Sequence, residues 1–359
     1  SEDLRDQVHL QKGEETLPAM LKTVGYETAL VGKWHCSSLF NNPAQPQPDY
    51  FGFDHWYATH NNASPSHQNP KNFVRNGEKV GQQEGFSCQL VVDEAMSWLD
   101  NRKGDNPFYL QVTFHEPHEP VASPEDLVQA NVDKAVGRLL DYLKENGADN
   151  TIVIFTSDNG PETFTRYPGA KRTFGQTGGL KGRKLWTTEA GIRVPGIVNW
   201  IGKPMFNGTT DAVVSALDFL PTLAEITGAQ LPNRELDGES FLPLLITGKF
   251  KRSKPLLWGF YNALNEHKVA MRHGDYKILA RLKNEGEYLP QIMNVYEGNE
   301  ILIKSSQLTD FELYNLMEDQ AESVNLIDEK PELFIQMKSL LKTEYNSLLE
   351  GSHIWVKSE

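Results

Sequence analysis

The chain has 359 residues, and its 48 acidic residues outnumber 35 basic ones to give a formal net charge of −13. This length is sufficient for one large domain and a smaller one, and the acidic balance argues against general affinity for nucleic acids or anionic membranes. No apolar run approaches the roughly 18 residues of a membrane-spanning helix, and the two cysteines, Cys36 and Cys88, offer neither a disulfide framework nor a zinc-ligand spacing.

Helices and strands are predicted to alternate through the first half of the chain. Apolar residues at helical spacing predict the helices, and short apolar runs predict the strands. In order, the predicted elements are a helix over 16–24, a strand over 26–31, a long ordered loop over 41–70, a helix over 89–101, a strand over 108–114, a helix over 131–146 and a strand over 151–155. Such alternation favours an α/β fold in which a large parallel or mixed sheet is covered by helices on both faces.

The texture of the sequence changes in its last third. A helix over 216–227 and a Pro-rich passage precede short strand-like runs between residues 256 and 282, and an amphipathic helix is predicted over 332–349. We therefore expect a main domain over 1–255 and a smaller domain of antiparallel strands and a helix over 256–359.

A metal-binding turn is predicted directly after the strand over 151–155. The sequence continues Thr-Ser-Asp-Asn-Gly-Pro, which places Asp158 and Asn159 at the carboxyl end of the strand. Ligands bind at such ends in open α/β sheets, and two adjacent oxygen donors suit Ca²⁺ or Mg²⁺. Asp-Asn-Gly is also typical of a plain turn.

Basic side chains follow other predicted elements. Lys33 and His35 lie two residues apart after the first strand, so both can point into one cleft, and His118 lies on a Pro-flanked turn after the strand over 108–114. Lys184 follows a Gly-rich basic loop that lets the backbone and a cation approach an anion together. Each segment alone is equally compatible with a surface lysine, a packing histidine or a solvated loop.

Together these segments resemble a known family. With Gly-Lys-Trp-His at 32–35, Asp-Asn-Gly at 158–160 and Glu-Ala-Gly-Ile-Arg-Val-Pro at 189–195, the chain resembles the formylglycine-dependent (type I) sulfatases of the alkaline-phosphatase superfamily. The resemblance extends over nearly all of the chain. It is strongest to N-acetylgalactosamine-6-sulfatases and to arylsulfatase-like polysaccharide sulfatases.

The resemblance implies a set of site residues. Lys33, His35, His118 and Lys184 correspond to catalytic, sulfate-contacting positions, and Asp158 and Asn159 correspond to ligands of one Ca²⁺. We further expect substrate contacts from three neighbouring residues: His60, His115 and Arg183. The implied fold is alkaline-phosphatase-like, with a smaller antiparallel C-terminal domain.

The chain also departs from the family pattern. The formylglycine precursor of the family lies in a Cys/Ser-x-Pro-Ser-Arg motif ahead of Gly-Lys-Trp-His, together with a pair of aspartates that completes the calcium site. Neither Cys36 nor Cys88 stands in such a motif, and only 32 residues precede Lys33. The passage over 120–130 is also short for the family. We expect the nucleophile segment to be missing here, which would leave the chain inactive.

These residues predict a sulfuric ester hydrolase that removes sulfate from a sulfated carbohydrate or an aryl sulfate. The alternatives are a phosphoesterase or phosphonate hydrolase of the same superfamily and a non-catalytic protein that binds sulfated glycans. We expect no nucleic-acid partner and a secreted, periplasmic or lysosomal-type compartment.

Overall fold

A five-stranded mixed sheet forms the centre of the larger part of the protein. The computed structural model describes residues 7–118, 130–163 and 175–356. The central strand β1 (Glu27–Lys33) runs parallel to β2 (His55–Thr59) on one side and to β5 (Phe108–Thr113) on the other. Two short antiparallel strands, β3 (Val74–Arg75) and β4 (Glu78–Lys79), extend the sheet beyond β2. The interior of β1 is wholly buried, which makes it the core of this layer.

Helices cover both faces of this sheet. On one face, apolar side chains of α2 (Ser87–Asn101) pack on β1 and β2, and α3 (Asn131–Glu145) packs on α2. On the other, α1 (Leu17–Lys22) packs with Tyr109 of β5 and with a later helix. The predicted α/β architecture, with a mixed sheet between helices, is confirmed.

The strand that precedes the predicted metal turn belongs to a second ladder. Strand β6 (Thr151–Thr156) pairs antiparallel with β7 (Gly196–Ile201), and no strand of the described residues joins β6 to the five-stranded sheet. The strand itself was predicted, but the buried environment expected for it was wrong. With one paired edge, its residues are half-buried or exposed, and Phe155 is 41% exposed.

Short helices connect this part to the C-terminal sheet. They are α4 (Glu189–Ile192), a 3₁₀ turn over Ala216–Asp218, α5 (Phe219–Thr227) and α6 (Leu242–Thr247). The sheet that follows is antiparallel, as predicted, with β10 paired to three other strands. Its elements are β8 (Leu256–Gly259), β9 (Val269–His273), β10 (Tyr276–Asn284), β11 (Glu287–Tyr288), α7 (Glu300–Lys304) and β12 (Gln307–Asn315).

The last helix, α8 (Pro331–Gly351), closes the core of the C-terminal sheet. Its Leu341 and Tyr345 are buried against Met271 and Ile278 of β9 and β10. Among the described residues, no helix combines the length and the apolar character that a membrane span requires.

The structure amends several of the predicted element bounds. Thr16 caps α1 as expected, accepting from the backbone N–H of Ala19, but the helix ends at Lys22. The segment over 41–70 is not a continuous loop, since it contains a 3₁₀ turn over Pro48–Phe51 and the whole of β2. The passage over 120–130, expected to be short, lies outside the described residues except for its last position.

A buried polar cluster lies between the end of β5 and the start of α2. The carboxylate of Glu116 accepts from the Ser87 hydroxyl at 2.5 Å and lies 3.8 Å from Nδ1 of His67. Nε2 of His115 is 2.7 Å from the Thr59 hydroxyl. Burial is the main cause that lowers the pKa of His67 to about 4 and that of His115 to about 3, whereas burial raises the pKa of Glu116. Both histidines are therefore neutral at pH 7.

The contact between β1 and β5 generates the first prediction. Gly32 has φ of 115°, and an added Cβ would lie 1.9 Å from the carbonyl oxygen of Thr113. Gly32→Ala should therefore lower the free energy of unfolding by about 3 kcal/mol, through a clash added to an unfavourable φ. Gly25→Ala is the matched control, because Gly25 has φ of 87° with open space around it. Urea denaturation showing equal losses for both variants would contradict the steric argument.

The second prediction concerns acid stability. The unfolded chain binds protons at histidines near pH 6.5, whereas folded His67 and His115 resist protonation until pH 4 or below. Stability contributed by each is thus present above pH 6.5 and is lost as the pH falls toward 4, by about 1.4 kcal/mol per pH unit.

Replacing His67 with Phe should make the free energy of unfolding depend less steeply on pH between pH 6.5 and 4. The slope should fall by the amount that corresponds to one proton taken up on unfolding. Both proteins keep Glu116, whose raised pKa acts in the opposite direction, so the difference between the proteins reports His67. The exposed His273, replaced in the same way, is the control. Identical pH slopes for the parent and His67→Phe would show that folded His67 is not held neutral.

Candidate active site

Three parallel strands deliver the candidate site residues to one edge of the main sheet. Lys33 is the last residue of β1, rather than lying beyond it as predicted, and it is in register with Thr59 at the end of β2. His60 follows β2, and His118 follows β5 after a cis Glu116–Pro117 bond. Because parallel strands end at the same edge, these side chains are gathered there by topology alone.

An asparagine links two of these residues. Nζ of Lys33 donates to Oδ1 of Asn62 at 3.0 Å, and Nδ2 of Asn62 lies 3.0 Å from Nδ1 of His118. A lysine ammonium has no acceptor, so it fixes which amide atom faces it, and the amide nitrogen must donate to the imidazole. His118 Nδ1 therefore accepts, and its ring proton is carried on Nε2.

His35 lies beside this pair in an unusual backbone conformation. Its φ is 49°, in the left-handed region, and its N–H donates to the carbonyl of His60 at 3.0 Å. Desolvation, followed by the positive charges of Lys33 and Lys184, lowers the pKa of His35 to about 4. The residue remains exposed to solvent, so water screens part of this effect. At pH 7 the imidazole is neutral.

Two charged residues from other segments act on Lys33. Desolvation lowers the pKa of Lys33, the positive charge of Lys184 lowers it further, and the negative charge of Asp158 raises it. Residues from β1, from the turn after β6 and from the loop before α4 thus act on one another electrostatically. The sequence singled out four basic residues, and they lie close enough to influence one another: the charges of Lys33, Lys184 and His118 all lower the pKa of His35.

Backbone contacts hold the Lys184 loop against the turn after β6. The N–H of Lys184 donates to the carbonyl of Pro161 at 2.8 Å, and that of Gly160 donates to Gly191 at 3.0 Å. Nζ of Lys184 lies 3.8 Å from the carboxylate of Glu162, and the side chain is only 16% exposed. The loop is therefore held against the turn that carries Asp158 and Asn159, and its lysine lies beside Glu162.

Asp158 and Asn159 fit part of a calcium site. The amide nitrogen of Asn159 donates to Oδ1 of Asp158 at 2.8 Å, so the two side chains face one another. A carboxylate and an amide supply the hard oxygen donors that Ca²⁺ takes, but Ca²⁺ requires six to eight of them. Within the described residues no group of three or more His, Cys, Asp or Glu is arranged to hold a metal. These two residues would thus form one side of a coordination shell.

The three predicted substrate contacts lie in different surroundings. His60 is half-buried at the end of β2, near enough for its charge to influence His35. His115 is only 1% exposed and lies within hydrogen-bond distance of the Thr59 hydroxyl, and its contact with substrate stays a prediction. Arg183 donates to the carbonyls of Glu162 and Gly175, and thereby braces its own loop.

Asn62 and His67 are functional candidates that the sequence did not single out. Asn62 lies in a glycosylation triplet, Asn-Ala-Ser, but its amide is engaged by Lys33 and His118, and a glycan attached to Nδ2 would disrupt the contact with His118. The long segment over 41–70 between two motif segments was the signal that could have found them.

Comparison with known proteins identifies two family profiles in the chain. The sulfatase family profile matches residues 2–229, and the profile of the N-sulphoglucosamine sulphohydrolase C-terminal region matches residues 182–289. The second match crosses residue 255, so the division into 1–255 and 256–359 stays a prediction.

Named relatives are sulfatases. Human arylsulfatase A is 30% identical over 351 residues, covering 88% of this chain and 67% of that protein. The uncharacterized sulfatase YdeN of Escherichia coli K12 is 28% identical over 379 residues, covering 92% and 66%, and human N-acetylgalactosamine-6-sulfatase is 28% identical, covering 66% and 49%. The chain thus spans between half and about two thirds of the length of these relatives.

Solved structures show the same fold. A Bacteroides thetaiotaomicron structure, from work on a locus that metabolises multiple glycosaminoglycans, has a TM-score of 0.72 at 21% identity, covering 94% of this chain and 83% of that one. Phosphonate monoester hydrolase of Agrobacterium radiobacter has a TM-score of 0.58 at 15% identity, covering 94% and 82%. The fold alone is therefore shared by sulfatases and a phosphonate hydrolase, whereas a sequence profile over residues 2–229 and a human relative 30% identical over 88% of the chain show that this chain belongs to the sulfatase family.

Proposed function

We propose that this chain carries the anion-binding and leaving-group side of a sulfatase active site, acting on a sulfated carbohydrate or an aryl sulfate. The observation that carries the proposal is the proximity of Lys33, Lys184 and His118 to His35, with Asp158 close enough to act on Lys33, in a protein whose net charge is −13. Such a local cationic cluster is what an acidic protein needs to hold an anionic ester. Assignment to sulfate rather than phosphonate esters rests on the family match.

The two lysines would bind the sulfate group. Both are partly buried, and the charge of Lys184 already lowers the pKa of Lys33. An anion placed between them relieves this repulsion, and its negative charge is stabilised more strongly than in bulk water. His35, neutral at pH 7, contributes an imidazole that can accept or donate a hydrogen bond at the same anion.

His118 is suited to protonate the leaving oxygen. The chain of contacts from Lys33 through Asn62 places the ring proton of His118 on Nε2, away from the amide. A general acid must hold its proton on the atom that faces the leaving group. Asn62 would act as a positioning residue, because it sets both the ring orientation and the tautomer.

Calcium and formylglycine are expected for the sulfatase family. Asp158 and Asn159 would hold the cation, and bound Ca²⁺ would withdraw electron density from a sulfate oxygen. The roles proposed above for Lys33, His35 and His118 do not require the cation. A secreted, periplasmic or lysosomal-type compartment remains part of the proposal.

The nucleophile is proposed to lie outside these 359 residues. Neither Cys36 nor Cys88 is followed by the Pro-Ser-Arg pattern that the family uses. Burial raises the pKa of both thiols, for Cys88 to about 12, so neither is an activated thiolate. These residues would therefore bind the anion without hydrolysing its ester.

The third prediction tests anion binding. Inorganic sulfate should bind to the parent chain, and Lys184→Ala should weaken binding about tenfold to a hundredfold through the loss of one charge-assisted contact. Affinity should rise as the pH falls from 7 toward 4, because the anion raises the low pKa of His35 and binding takes up a proton. Calorimetry at low ionic strength measures both effects. Lys203→Ala, at an exposed lysine, is the control, and equal affinities of parent and Lys184→Ala would overturn the proposal.

The fourth prediction tests the missing nucleophile. The 359-residue chain, incubated with an activated aryl sulfate and Ca²⁺, should release no more phenol than its Lys184→Ala variant. An activated aryl leaving group needs no proton, so slow protonation by His118 cannot hide the reaction. Reproducible hydrolysis by the parent above this control would place the nucleophile within the chain and overturn the mechanism.

A further inference from the structure

We propose that a buried ion triad, Glu189, Lys277 and Glu322, positions the Lys184 loop and the Asp158 turn, so that the C-terminal sheet governs anion affinity at a site it does not line. The part of this inference that concerns anion affinity rests on the proposed function. Its own geometry is independent of that function, because it concerns how two loops are held.

The triad joins the C-terminal sheet to the start of α4. Nζ of Lys277, in β10, lies 2.9 Å from a carboxylate oxygen of Glu189 and 2.9 Å from one of Glu322. The other oxygen of Glu322 accepts from the backbone N–H of Glu189 at 2.7 Å. The three side chains are at most 3% exposed. Glu322 therefore fixes the first residue of α4 in position, and Lys277 fixes both carboxylates.

The carbonyl of Glu322 extends this contact to the loop that carries Lys184. Nζ of Lys181 donates to that carbonyl at 3.2 Å, and the carbonyl of Lys181 accepts from Ala190 at 2.9 Å and from the Thr188 hydroxyl at 2.8 Å. The loop between Lys181 and Ala190 is thus closed on itself. It is attached at both ends to residues that the C-terminal part holds.

The start of α4 in turn holds the predicted metal turn. Gly160 donates to Gly191 at 3.0 Å, and a Cβ added to Gly160 would lie 1.7 Å from the carbonyl oxygen of Ala190. No side chain fits between the two segments. A displacement of α4 must therefore be transmitted to Asp158, two residues before Gly160.

Charge, rather than apolar packing, gives this junction a single geometry. Removing three ionised groups from water is costly, and apolar residues of similar volume often stabilise such a position equally well. Ion pairs and a charge-assisted bond to Glu189 N–H are directional, whereas apolar packing tolerates sliding. One lysine faces two carboxylates, and Arg193, 3.9 Å from Glu189, supplies further positive charge.

Local hydrogen exchange separates positioning from general stability. In the triple variant Lys277→Met, Glu189→Gln, Glu322→Gln, the size of each side chain is nearly kept and all three charges are removed. We expect backbone amides of residues 158–160 and 181–191 to exchange at least tenfold faster than in the parent. We also expect the affinity for inorganic sulfate, measured by calorimetry, to fall at least fivefold.

An equally buried ion pair elsewhere provides the matched control. Nη1 of Arg252 donates to both carboxylate oxygens of Asp218, at 2.5 and 2.6 Å, and the side chains are 4% and 0% exposed. Arg252→Met with Asp218→Asn should lower the Tm while leaving exchange over 181–191 and sulfate affinity unchanged. If the triple variant does not fold, Glu322→Gln alone, which keeps an acceptor for the Glu189 N–H, should still accelerate exchange in both segments.

The outcomes are distinguishable from failure of the proposed function. If the parent does not bind sulfate, the anion site fails, and the exchange data alone decide the positioning role. Unchanged exchange in both segments of the triple variant, or equal acceleration in the control, would overturn the triad proposal. Faster exchange with unchanged sulfate affinity in a parent that binds sulfate would overturn its influence on the anion site.

Discussion

Repulsion among like charges is the constraint on which this structure depends. Lys33 and Lys184 lie close enough for one to lower the pKa of the other, and both lower the pKa of His35. Left to themselves, flexible side chains would separate and enter water. The fold prevents this by attaching Lys33 to the last position of a fully buried strand and Lys184 to a loop fixed by backbone bonds. The two positive charges are thus held close together before any anion arrives. An anion bound between them would relieve their repulsion without a rearrangement of the protein, which is what preorganisation means.

Close backbone approach at two glycines maintains this arrangement. Gly32 allows β5 to lie against β1 just before Lys33, and Gly160 allows the turn after β6 to lie against α4. Neither position has space for a Cβ. The backbone contact at Gly32 therefore fixes the segment that carries Lys33, and the contact at Gly160 fixes the segment that carries Asp158. Buried polar groups lie near both segments. Glu116, His67 and His115 lie near the end of β5, and the ion triad of Glu189, Lys277 and Glu322 lies at the start of α4. Polar groups that are costly to bury are thus concentrated where position matters most.

Much of this was predictable from the sequence, for physical reasons that differ by element. The helices α2 and α3 were found because their apolar positions repeat at helical spacing over fifteen residues. Strand β2 was missed because His-Trp-Tyr-Ala-Thr, within a segment rich in Pro and Asn, has no alternation that marks a strand. Its burial arises from neighbouring strands, which no local pattern reveals. The burial of His115 and the pairing of β6 with β7 alone are tertiary outcomes of the same kind. The motif residues Lys33, His118 and Lys184 were recognised by resemblance, whereas Asn62 becomes visible only once it bridges two of them.

The acidic balance of the whole chain and the basic character of the site act at different distances. At physiological ionic strength, charges separated by more than about 8 Å are largely screened, so most of the net charge of −13 has little direct effect inside the cleft. Within that distance the partly buried lysines are screened far less and set the local field. The negative surface repels polyanions that approach elsewhere, whereas a sulfate group that reaches the strand ends meets concentrated positive charge. A local cationic cluster of the proposed kind would let an acidic protein bind an anionic ester while avoiding general affinity for polyanions, which a uniformly basic surface could not do.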